Sequence, residues 1–244
     1  MKFVRYERVD GTAVVTLADP RRRNAISADL AVEFAEVLAA EQADPEVRAV
    51  VITGEGSAFC AGADREALRH ADEAVLRRIY EVFLLVRDCP LPAVAAVNGP
   101  AVGAGFNLAL ACDVRIAARS ASFDARFLSI PIHPGGGHTW MLTQAAGPQG
   151  AAAMTLFGDP VDGARAERTG LAWRCVPDEE LIAASVAFCR AVTAAPPGLA
   201  REIKQTLRTV PGLADHQAAS AYELTRQVAS VGRPEYQERI RGAR

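Results

Sequence analysis

The chain has 244 residues, of which half are apolar and 23% are charged, and its formal net charge at pH 7 is −2. This length suits one hydrophobic core with an appendage, and the near-neutral charge gives no footprint for nucleic acid or an anionic membrane. The stretch MKFVRYERVDG lacks the apolar region of a secretory signal, and no apolar run approaches the roughly 18 residues of a membrane span. Five cysteines without a C-x-x-C pair favour reduced thiols, so we expect a cytoplasmic protein.

The first residues predict a hairpin, a helix and a buried strand. Two alternating runs meet at Asp10-Gly11, which is a strong signal for a tight hairpin turn. Ser27 is a plausible N-cap for the helix that follows, and Asp44-Pro45 ends that helix. VRAVVITG is a continuous apolar run, which predicts a buried, parallel strand.

Strands and helices alternate through the middle of the chain. ADEAVLRRIYEVFLLVRDCPLP predicts a helix ended by prolines, AVAAVNG predicts a second buried strand, and DVRIAA predicts a third. PGGGHTWMLTQAAG and PQGAAAMTLFG predict two helices split at Gly147-Pro148. This alternation predicts an α/β core with right-handed crossovers over residues 1–195. Only helical stretches follow, so we expect residues 196–244 to dock on this core or on a neighbouring subunit.

Two strand–turn–helix units carry glycine-rich loops of the kind that offer backbone N–H groups to negative charge. They are GEGSAFCAGADREAL, residues 54–68, and NGPAVGAGFNLALACD, residues 98–113. Leu108 stands where a dinucleotide fingerprint starting at Gly103 needs Gly or Ala, and no Lys follows for a P-loop. Two such turns that converge on one oxygen would form an oxyanion hole. The alternative is that each turn is only a tight connection.

Five motifs in this order resemble the crotonase superfamily, also called the enoyl-CoA hydratase/isomerase family. They are RRRNAIS, VVITGEGSAFCAGAD, PAVAAVNGPAVGAGFNLALACDVRIAA, ASFDARFLSIPIHPGGG and GLAWRCV, which together span about residues 10–180. The resemblance implies a spiral of ββα units with a C-terminal helical appendage, and an acyl-CoA or enoyl-CoA thioester as substrate. It also implies a trimer or dimer of trimers built with the C-terminal helices, and no cofactor other than the coenzyme A that the substrate carries.

The resemblance further implies an oxyanion hole made by the backbone N–H groups of Ala63 and Ala104. Because both donors are backbone groups, Ala is acceptable at each position if its φ stays negative. A thioester that gains water or loses a neighbouring proton develops an enolate-like oxygen, which two aimed N–H groups stabilise. The residues that match substrate-binding parts of relatives are Arg23, Ala25, Ala61, Asp64, Arg65, Glu66, Gly103, Phe127 and Lys204.

The chain departs from the hydratase pattern at both acid–base positions, because the two glutamates of the family fall on Asn107 and Phe127. Neither side chain carries a proton at neutral pH. Asn107 either orients a water or polar substrate group or is hydrogen-bonded to a neighbour or to backbone, and Phe127 is most simply an apolar pocket wall. His133 and Asp124 are the replacement candidates, since the pKa of a histidine suits proton transfer near neutral pH. Each also has a structural alternative, an N-cap or salt bridge in the case of Asp124.

Basic and thiol groups leave further alternatives open. Arg21–Arg23 either meet the phosphates of coenzyme A or form a solvated charge run. Lys204 matches a lysine that relatives place near those phosphates, and otherwise it is an exposed helix residue. Cys60 is a small semi-buried side chain or a nucleophile. His133 and His138 do not make a metal site, because the usual third and fourth ligands are missing.

Two hypotheses of different class follow. The first is an enzyme of enoyl-CoA hydratase/isomerase type that stabilises a thioester enolate with both glutamates replaced. The second is a non-catalytic acyl-CoA-binding protein that has kept the oxyanion hole and lost the acids. Asn107 and Phe127 favour the second, whereas the intact loops and the nearby histidines favour the first. The acyl chain length stays open, because apolar pocket walls look like core in a sequence.

Overall fold

Two β-sheets form the body of the protein, one of six strands and one of three. The computed structural model describes residues 1–242; residues 243 and 244, the end of the predicted C-terminal region, lie outside the described part. The strands are β1 Val4–Val9, β2 Thr12–Leu17, β3 Ala49–Gly54, β4 Ala93–Val97, β5 Pro100–Val102, β6 Val114–Ala118, β7 Ser122–Asp124, β8 Val161–Asp162 and β9 Arg174–Val176. Six of them form a sheet in the order β1-β2-β3-β4-β6-β9, and three form a smaller sheet in the order β5-β7-β8.

The predicted hairpin is present at the edge of the larger sheet. Strand β1 pairs antiparallel with β2, and Val9 lies opposite Thr12. Asp10 and Gly11 have φ of 49° and 75°, the left-handed pair that a two-residue hairpin turn favours. From β2 to β9 the neighbouring strands of this sheet are parallel, and every residue of β3 and β4 is buried. Both faces of these strands are covered, which explains why their sequences are continuously apolar.

The helices begin and end close to the predicted caps and prolines. Ser27 caps α1 by accepting a hydrogen bond from the N–H of Leu30, and the predicted break in α5 is a non-helical Gly147 with φ 69° and ψ 170°. None of the described helices combines the length and apolar content needed to cross a membrane. The helices are α1 Ala28–Ala43, α2 Arg65–Arg69, α3 Glu73–Asp88, α4 Ala104–Ala111, α5 His138–Leu156, α6 Gly163–Arg168, α7 Leu181–Phe188, α8 Arg190–Thr193, α9 Leu199–Thr209, α10 His216–Val231 and α11 Pro234–Gly242.

Successive turns of the chain stack beside one another. Strand β4 is followed by β5 and α4, and β6 is followed by β7, so each of these turns supplies one strand to each sheet. Earlier turns contribute single bridges in place of short strands, since Ile26 pairs with Ala63 and Cys60 pairs with Ala101. The result is the spiral of ββα units that the resemblance implies. It places the glycine-rich loops before α2 and α4 side by side.

Helix α9 docks on the core of its own chain through polar contacts. The Nζ atom of Lys204 lies 2.6 Å from the carbonyl oxygen of Leu91 and 2.6 Å from a carboxylate oxygen of Asp113. Lys204 is only 5% exposed, so its interpretation as an exposed helix lysine is wrong.

Helices α10 and α11 bury none of their described residues, and they present Leu224 and Val228 to solvent. The C-terminal helices therefore leave an apolar surface uncovered.

Candidate active site

The two glycine-rich loops are joined by backbone hydrogen bonds. The N–H of Cys60 donates to the carbonyl of Pro100 at 3.2 Å, and the N–H of Val102 donates to the carbonyl of Cys60 at 2.9 Å. Gly62 has a φ of +96°, and a Cβ on it would lie 2.7 Å from the carbonyl oxygen of Val102. Glycine at this position therefore permits both the backbone conformation and the close approach of the loops.

The direction of the Ala63 N–H is set by the contacts of its neighbours with Ile26. The N–H of Ile26 donates to the carbonyl of Gly62 at 2.7 Å, and the N–H of Asp64 donates to the carbonyl of Ile26 at 3.0 Å. In a trans peptide the carbonyl of one residue and the N–H of the next point in opposite directions. The N–H of Ala63 therefore points away from Ile26, and within residues 1–242 it has no hydrogen-bond acceptor.

Ala104 is the first residue of α4, so its N–H is one of the donors that a helix leaves without an internal partner. The loop before it is held in place, because the N–H of Gly103 donates to the carbonyl of Asp124 at 3.0 Å. No described residue accepts a hydrogen bond from the N–H of Ala104. Helix α4 adds its positive dipole end here. Neither Ala63 nor Ala104 has a positive φ. Both therefore meet the condition under which alanine is acceptable at these positions.

Both loops line one cavity of about 160 Å³. Leu76, Ile79 and Ile132 contribute apolar wall, and no carboxylate side chain among the described residues lines it. Of the candidates drawn from the sequence, the cavity brings together Ala61, Ala63, Arg65, Gly103, Ala104, Asn107, Phe127 and His133. The candidates that do not line it are Arg23, Ala25, Asp64, Glu66, Asp124 and Lys204.

Asn107 is held on both sides of its amide. It is 2% exposed, its Nδ2 donates to the carbonyl of Gly135 at 3.1 Å, and its Oδ1 lies 2.6 Å from Nδ1 of His138. Because Oδ1 is an acceptor, Nδ1 of His138 must carry the hydrogen of this bond. The structural alternative for Asn107 is therefore present: the side chain is hydrogen-bonded to a neighbour and to backbone.

His138 is a buried, neutral imidazole among aromatic rings. Its ring centroid lies 4.7 Å from that of Phe127 and 5.5 Å from that of Phe106, both edge-on. Burial lowers the pKa of His138 to about 4, because an apolar environment disfavours the charged form. Its Nε2 is buried without a partner among the described residues. Phe127 lines the cavity and His138 does not, which agrees with the interpretation of Phe127 as an apolar wall.

Asp124 does not reach the cavity because its carboxylate is bound to Arg126. One carboxylate oxygen lies 2.8 Å from Nε and 2.6 Å from Nη2 of that arginine. The prediction of Asp124 as a replacement acid or base is therefore not supported, and its salt-bridge alternative is the one that the structure contains. Arg126, to which no sequence pattern pointed, lines the cavity, whereas Asp124 does not.

His133 lines the cavity from the loop between β7 and α5. Its side chain is exposed, and Nδ1 lies 2.7 Å from the carbonyl oxygen of Pro134. A carbonyl only accepts hydrogen bonds, so this contact requires the hydrogen on Nδ1. The lone pair of the neutral ring is then on Nε2.

The segments that the resemblance associates with coenzyme A lie next to each other. The N–H of Ala61 donates to the carbonyl of Arg23 at 2.9 Å. Arg22 is bound to carboxylate oxygens of Asp19 and Asp64 at 2.6 and 3.1 Å and, like Arg21 and Arg23, is exposed to solvent. Glu66 lines a second cavity of about 210 Å³ between α1, α2 and α3.

The surroundings of Lys204 and Cys60 argue against the functional roles considered for them, a phosphate ligand and a nucleophile. The ammonium of Lys204 is occupied by Asp113 and by backbone, so this residue does not meet the phosphates of coenzyme A as expected. Cys60 is buried, and burial raises the pKa of its thiol to about 12. A thiol with such a pKa is not a nucleophile at neutral pH, and Cys60 is the small buried side chain of the alternative interpretation.

Three cavity residues that the sequence did not point to lie on α3, namely Leu76, Ile79 and Tyr80. Their spacing of i, i+3 and i+4 places them on one face of the helix. The same periodicity predicted the helix, so the face could have been found. The sequence does not distinguish a face that lines a cavity from one that enters the core, as Val82 and Phe83 on the same helix do.

Comparisons with known proteins agree with this architecture. The family model for enoyl-CoA hydratase/isomerase matches residues 7–238. The chain is 45% identical over 240 residues to the probable enoyl-CoA hydratase EchA14 of Mycobacterium tuberculosis, covering 95% of this chain and 93% of that protein. The crystal structure of an enoyl-CoA hydratase from Bacillus anthracis is similar with a TM-score of 0.92 and 26% identity, over 98% of this chain and 95% of that one.

A relative with a different reaction is also similar. The 1,2-epoxyphenylacetyl-CoA isomerase of Escherichia coli is 34% identical over 190 residues, covering 74% of this chain and 72% of that protein.

The spiral and the paired loops define an α/β protein of the crotonase type. The chain belongs to the enoyl-CoA hydratase/isomerase family. Membership alone does not select a reaction, because differently named activities occur among the relatives.

Proposed function

We propose that this protein binds an acyl-CoA or enoyl-CoA thioester and carries out hydratase/isomerase-type chemistry on it. The thioester oxygen lies between the N–H groups of Ala63 and Ala104. The observation that carries the proposal is that these two donors have no protein acceptor within residues 1–242 and line one cavity from two hydrogen-bonded loops. The relatives named as enoyl-CoA hydratases support the substrate class.

The chemistry of a thioester explains the use of two backbone donors. Removing a proton beside the carbonyl, or adding a nucleophile to a conjugated double bond, moves negative charge onto the thioester oxygen. Donors that already point to this oxygen stabilise the charge without reorganisation. The positive end of the α4 dipole acts in the same direction, and the apolar cavity walls strengthen both effects by lowering the local dielectric.

We further propose His133 as the group that accepts and returns the proton. Its Nδ1 contact with Pro134 supports a ring whose Nε2 carries the lone pair, and it lines the same cavity. The other candidates are occupied, since Asn107 is bound through both ends of its amide and Asp124 is bound to Arg126.

The coenzyme A part is proposed to follow residues 22–25 and 61–66. The adjacency of these segments supports this course, because a backbone hydrogen bond joins Arg23 to Ala61 and an ion pair joins Arg22 to Asp64. Arg23, Arg65 and Glu66 are exposed along this surface. Lys204 has no part in this assignment.

The homotrimer or dimer of trimers also stays a proposal. Its support is the apolar surface of the C-terminal helices, where Ile203, Leu207, Leu224, Val228 and Ile240 are exposed. Exposed apolar side chains that gather on one face mark a protein–protein interface. Light scattering coupled to size exclusion is expected to give a mass of three or six chains, and a monomer would contradict the proposal.

A cytoplasmic location is proposed on the state of the thiols. All five cysteines are free, and four of them are buried. Buried thiols that form no disulfide suit a reducing compartment.

One experiment tests the proposed function against the non-catalytic alternative. The observation in favour of that alternative is that no carboxylate lines the cavity among the described residues. The purified chain is incubated with crotonyl-CoA, a long-chain enoyl-CoA and a 3-hydroxyacyl-CoA, and turnover and affinity are measured together. We expect binding and turnover, with turnover falling at least tenfold in His133→Ala. His216→Ala, an exposed histidine on α10, is the matched control.

The possible results separate the hypotheses. Binding without turnover of any thioester would support the non-catalytic alternative. A rate unchanged by His133→Ala would remove His133 from the mechanism. A chain that binds none of the thioesters would contradict both hypotheses.

A further inference from the structure

Tyr80 brings an unused hydroxyl group to the cavity. Its ring packs against Phe83 with the centroids 5.7 Å apart, which fixes the side chain on the inner face of α3. The hydroxyl has no hydrogen-bond partner among the described residues, yet its oxygen is not one of the buried unpartnered atoms. It is therefore open to the cavity that Tyr80 lines.

The hydroxyl is seated against Gly135. A Cβ at position 135 would collide with the Tyr80 oxygen, so glycine leaves the space that the hydroxyl occupies. The carbonyl of Gly135 accepts the hydrogen bond from Nδ2 of Asn107. The tyrosine hydroxyl and the asparagine amide thus meet at a single residue.

This polar pair lies close to the proposed thioester position. Asn107 follows Ala104 by three residues of α4, a rise of about 4.5 Å along the helix axis. Tyr80, Asn107 and both N–H donors line the same cavity of about 160 Å³, so a thioester held at Ala63 and Ala104 brings the first carbons of its acyl group, the third included, into the space beside Tyr80. The neighbouring walls are apolar, formed by Leu76, Ile79 and Phe127. An oxygen on that carbon would lose its hydrogen bonds to water on entering this part of the cavity, unless Tyr80 replaces them.

We propose that the Tyr80 hydroxyl hydrogen-bonds an oxygen on the third carbon of the acyl group. The site then selects oxygenated acyl-CoA thioesters over their unsubstituted counterparts, and Tyr80 is the residue that makes the selection. This inference rests on the proposed function, because it takes the thioester oxygen to lie at Ala63 and Ala104. It assigns Tyr80 no proton transfer, only recognition.

The test is a binding comparison of butyryl-CoA with each enantiomer of 3-hydroxybutyryl-CoA by titration calorimetry. The unaltered chain is expected to prefer one hydroxylated thioester by roughly 3- to 10-fold, the net effect of one hydrogen bond. Tyr80→Phe removes the hydroxyl alone and is expected to abolish this preference while changing the affinity for butyryl-CoA less than about twofold. Tyr6→Phe is the matched control, since Tyr6 is 51% exposed on β1 and outside the cavity.

A second variant displaces the hydroxyl without removing it. Gly135→Ala puts a Cβ where the Tyr80 oxygen lies, so it is expected to lose the same preference; circular dichroism verifies that both variants are folded. A preference that survives in folded Tyr80→Phe overturns the role of Tyr80. If neither the unaltered chain nor any variant binds butyryl-CoA, the proposed function itself is refuted. The failure of the Tyr80 inference is thereby distinguished from the failure of the proposed function.

Discussion

The Oδ1 atom of Asn107 lies 2.6 Å from Nδ1 of His138, which joins α4 to the first residue of α5. Through its Nδ2, the same side chain is bound to the carbonyl of Gly135. One buried amide therefore ties the helix that begins at Ala104 to the loop that carries His133. The position to which the resemblance assigns a glutamate serves here to hold two parts of the cavity together.

Asn107→Ala is expected to lower the free energy of unfolding by roughly 2–3 kcal/mol. The substitution leaves the Nδ1–H of His138 and the carbonyl of Gly135 without their partner in a buried environment. Urea denaturation followed by circular dichroism measures the change. Gln217→Ala, at an exposed position of α10, is the control, and an equal effect of both substitutions would contradict a linking role for Asn107.

The stability of the protein is expected to fall as the pH is lowered from about 6.5 to about 4. Burial lowers the pKa of His138 from 6.5 to about 4, so between these values the unfolded chain binds a proton that the folded chain does not. The free energy of unfolding therefore rises with pH between about 4 and 6.5. His138 contributes roughly 3 kcal/mol in total to this change, and it causes no further loss of stability below this pH range.

Urea denaturation between pH 4 and pH 7 measures this contribution as a difference between variants. His138→Asn keeps a donor toward Asn107 but does not titrate, so its stability should depend less steeply on pH than that of the unaltered chain. His216→Asn, at an exposed histidine, should keep the full dependence. Parallel pH profiles for the unaltered chain and His138→Asn would refute the assignment.

Lys204→Met is expected to destabilise the protein by about 2 kcal/mol, because it removes the cation 2.6 Å from the carboxylate of Asp113 and leaves that carboxylate with the more distant Arg208, at 3.9 Å. The effect stays below that of a fully buried pair since Asp113 is 33% exposed and keeps its contact with the N–H of Ala93. A double-mutant cycle with Asp113→Asn isolates the pair, and Lys2→Met is the exposed control. Additive effects of the two substitutions would show that the pair is not coupled.

Local signals were sufficient for the larger elements of the fold. The Asp10-Gly11 turn, the Ser27 cap and the apolar run of β3 each act over a few residues, and each predicted its element correctly. Strands β7 and β8 have three and two residues, too few for an alternating pattern to emerge. The smaller sheet was therefore not predicted from the residues and entered only through the resemblance.

The candidate site was predictable in its backbone but not in its side chains. Glycine spacing indicated both loops, because close backbone approach needs glycine near the contact. The role of Asn107 depends on His138, 31 residues away, and that of Lys204 depends on Asp113. Such contacts are set by how the turns of the spiral stack, which no short window of sequence contains. Tyr80 was missed for the same reason, since helical spacing alone does not show what its face meets.

Ala104→Pro is expected to reduce turnover of an enoyl-CoA by about 10²–10³-fold. The substitution removes one backbone N–H, and the first position of a helix is where proline is tolerated, so α4 should remain folded. Ala104→Ser is the matched control, because it alters the side chain at the same position and keeps the N–H. Steady-state kinetics with crotonyl-CoA distinguishes the cases: the loss should fall mainly on kcat, since the donor is most strongly engaged by the charge that develops on the oxygen during the reaction. Equal rates for the proline and serine variants, with both shown to be folded, would mean that the N–H of Ala104 does not stabilise that charge.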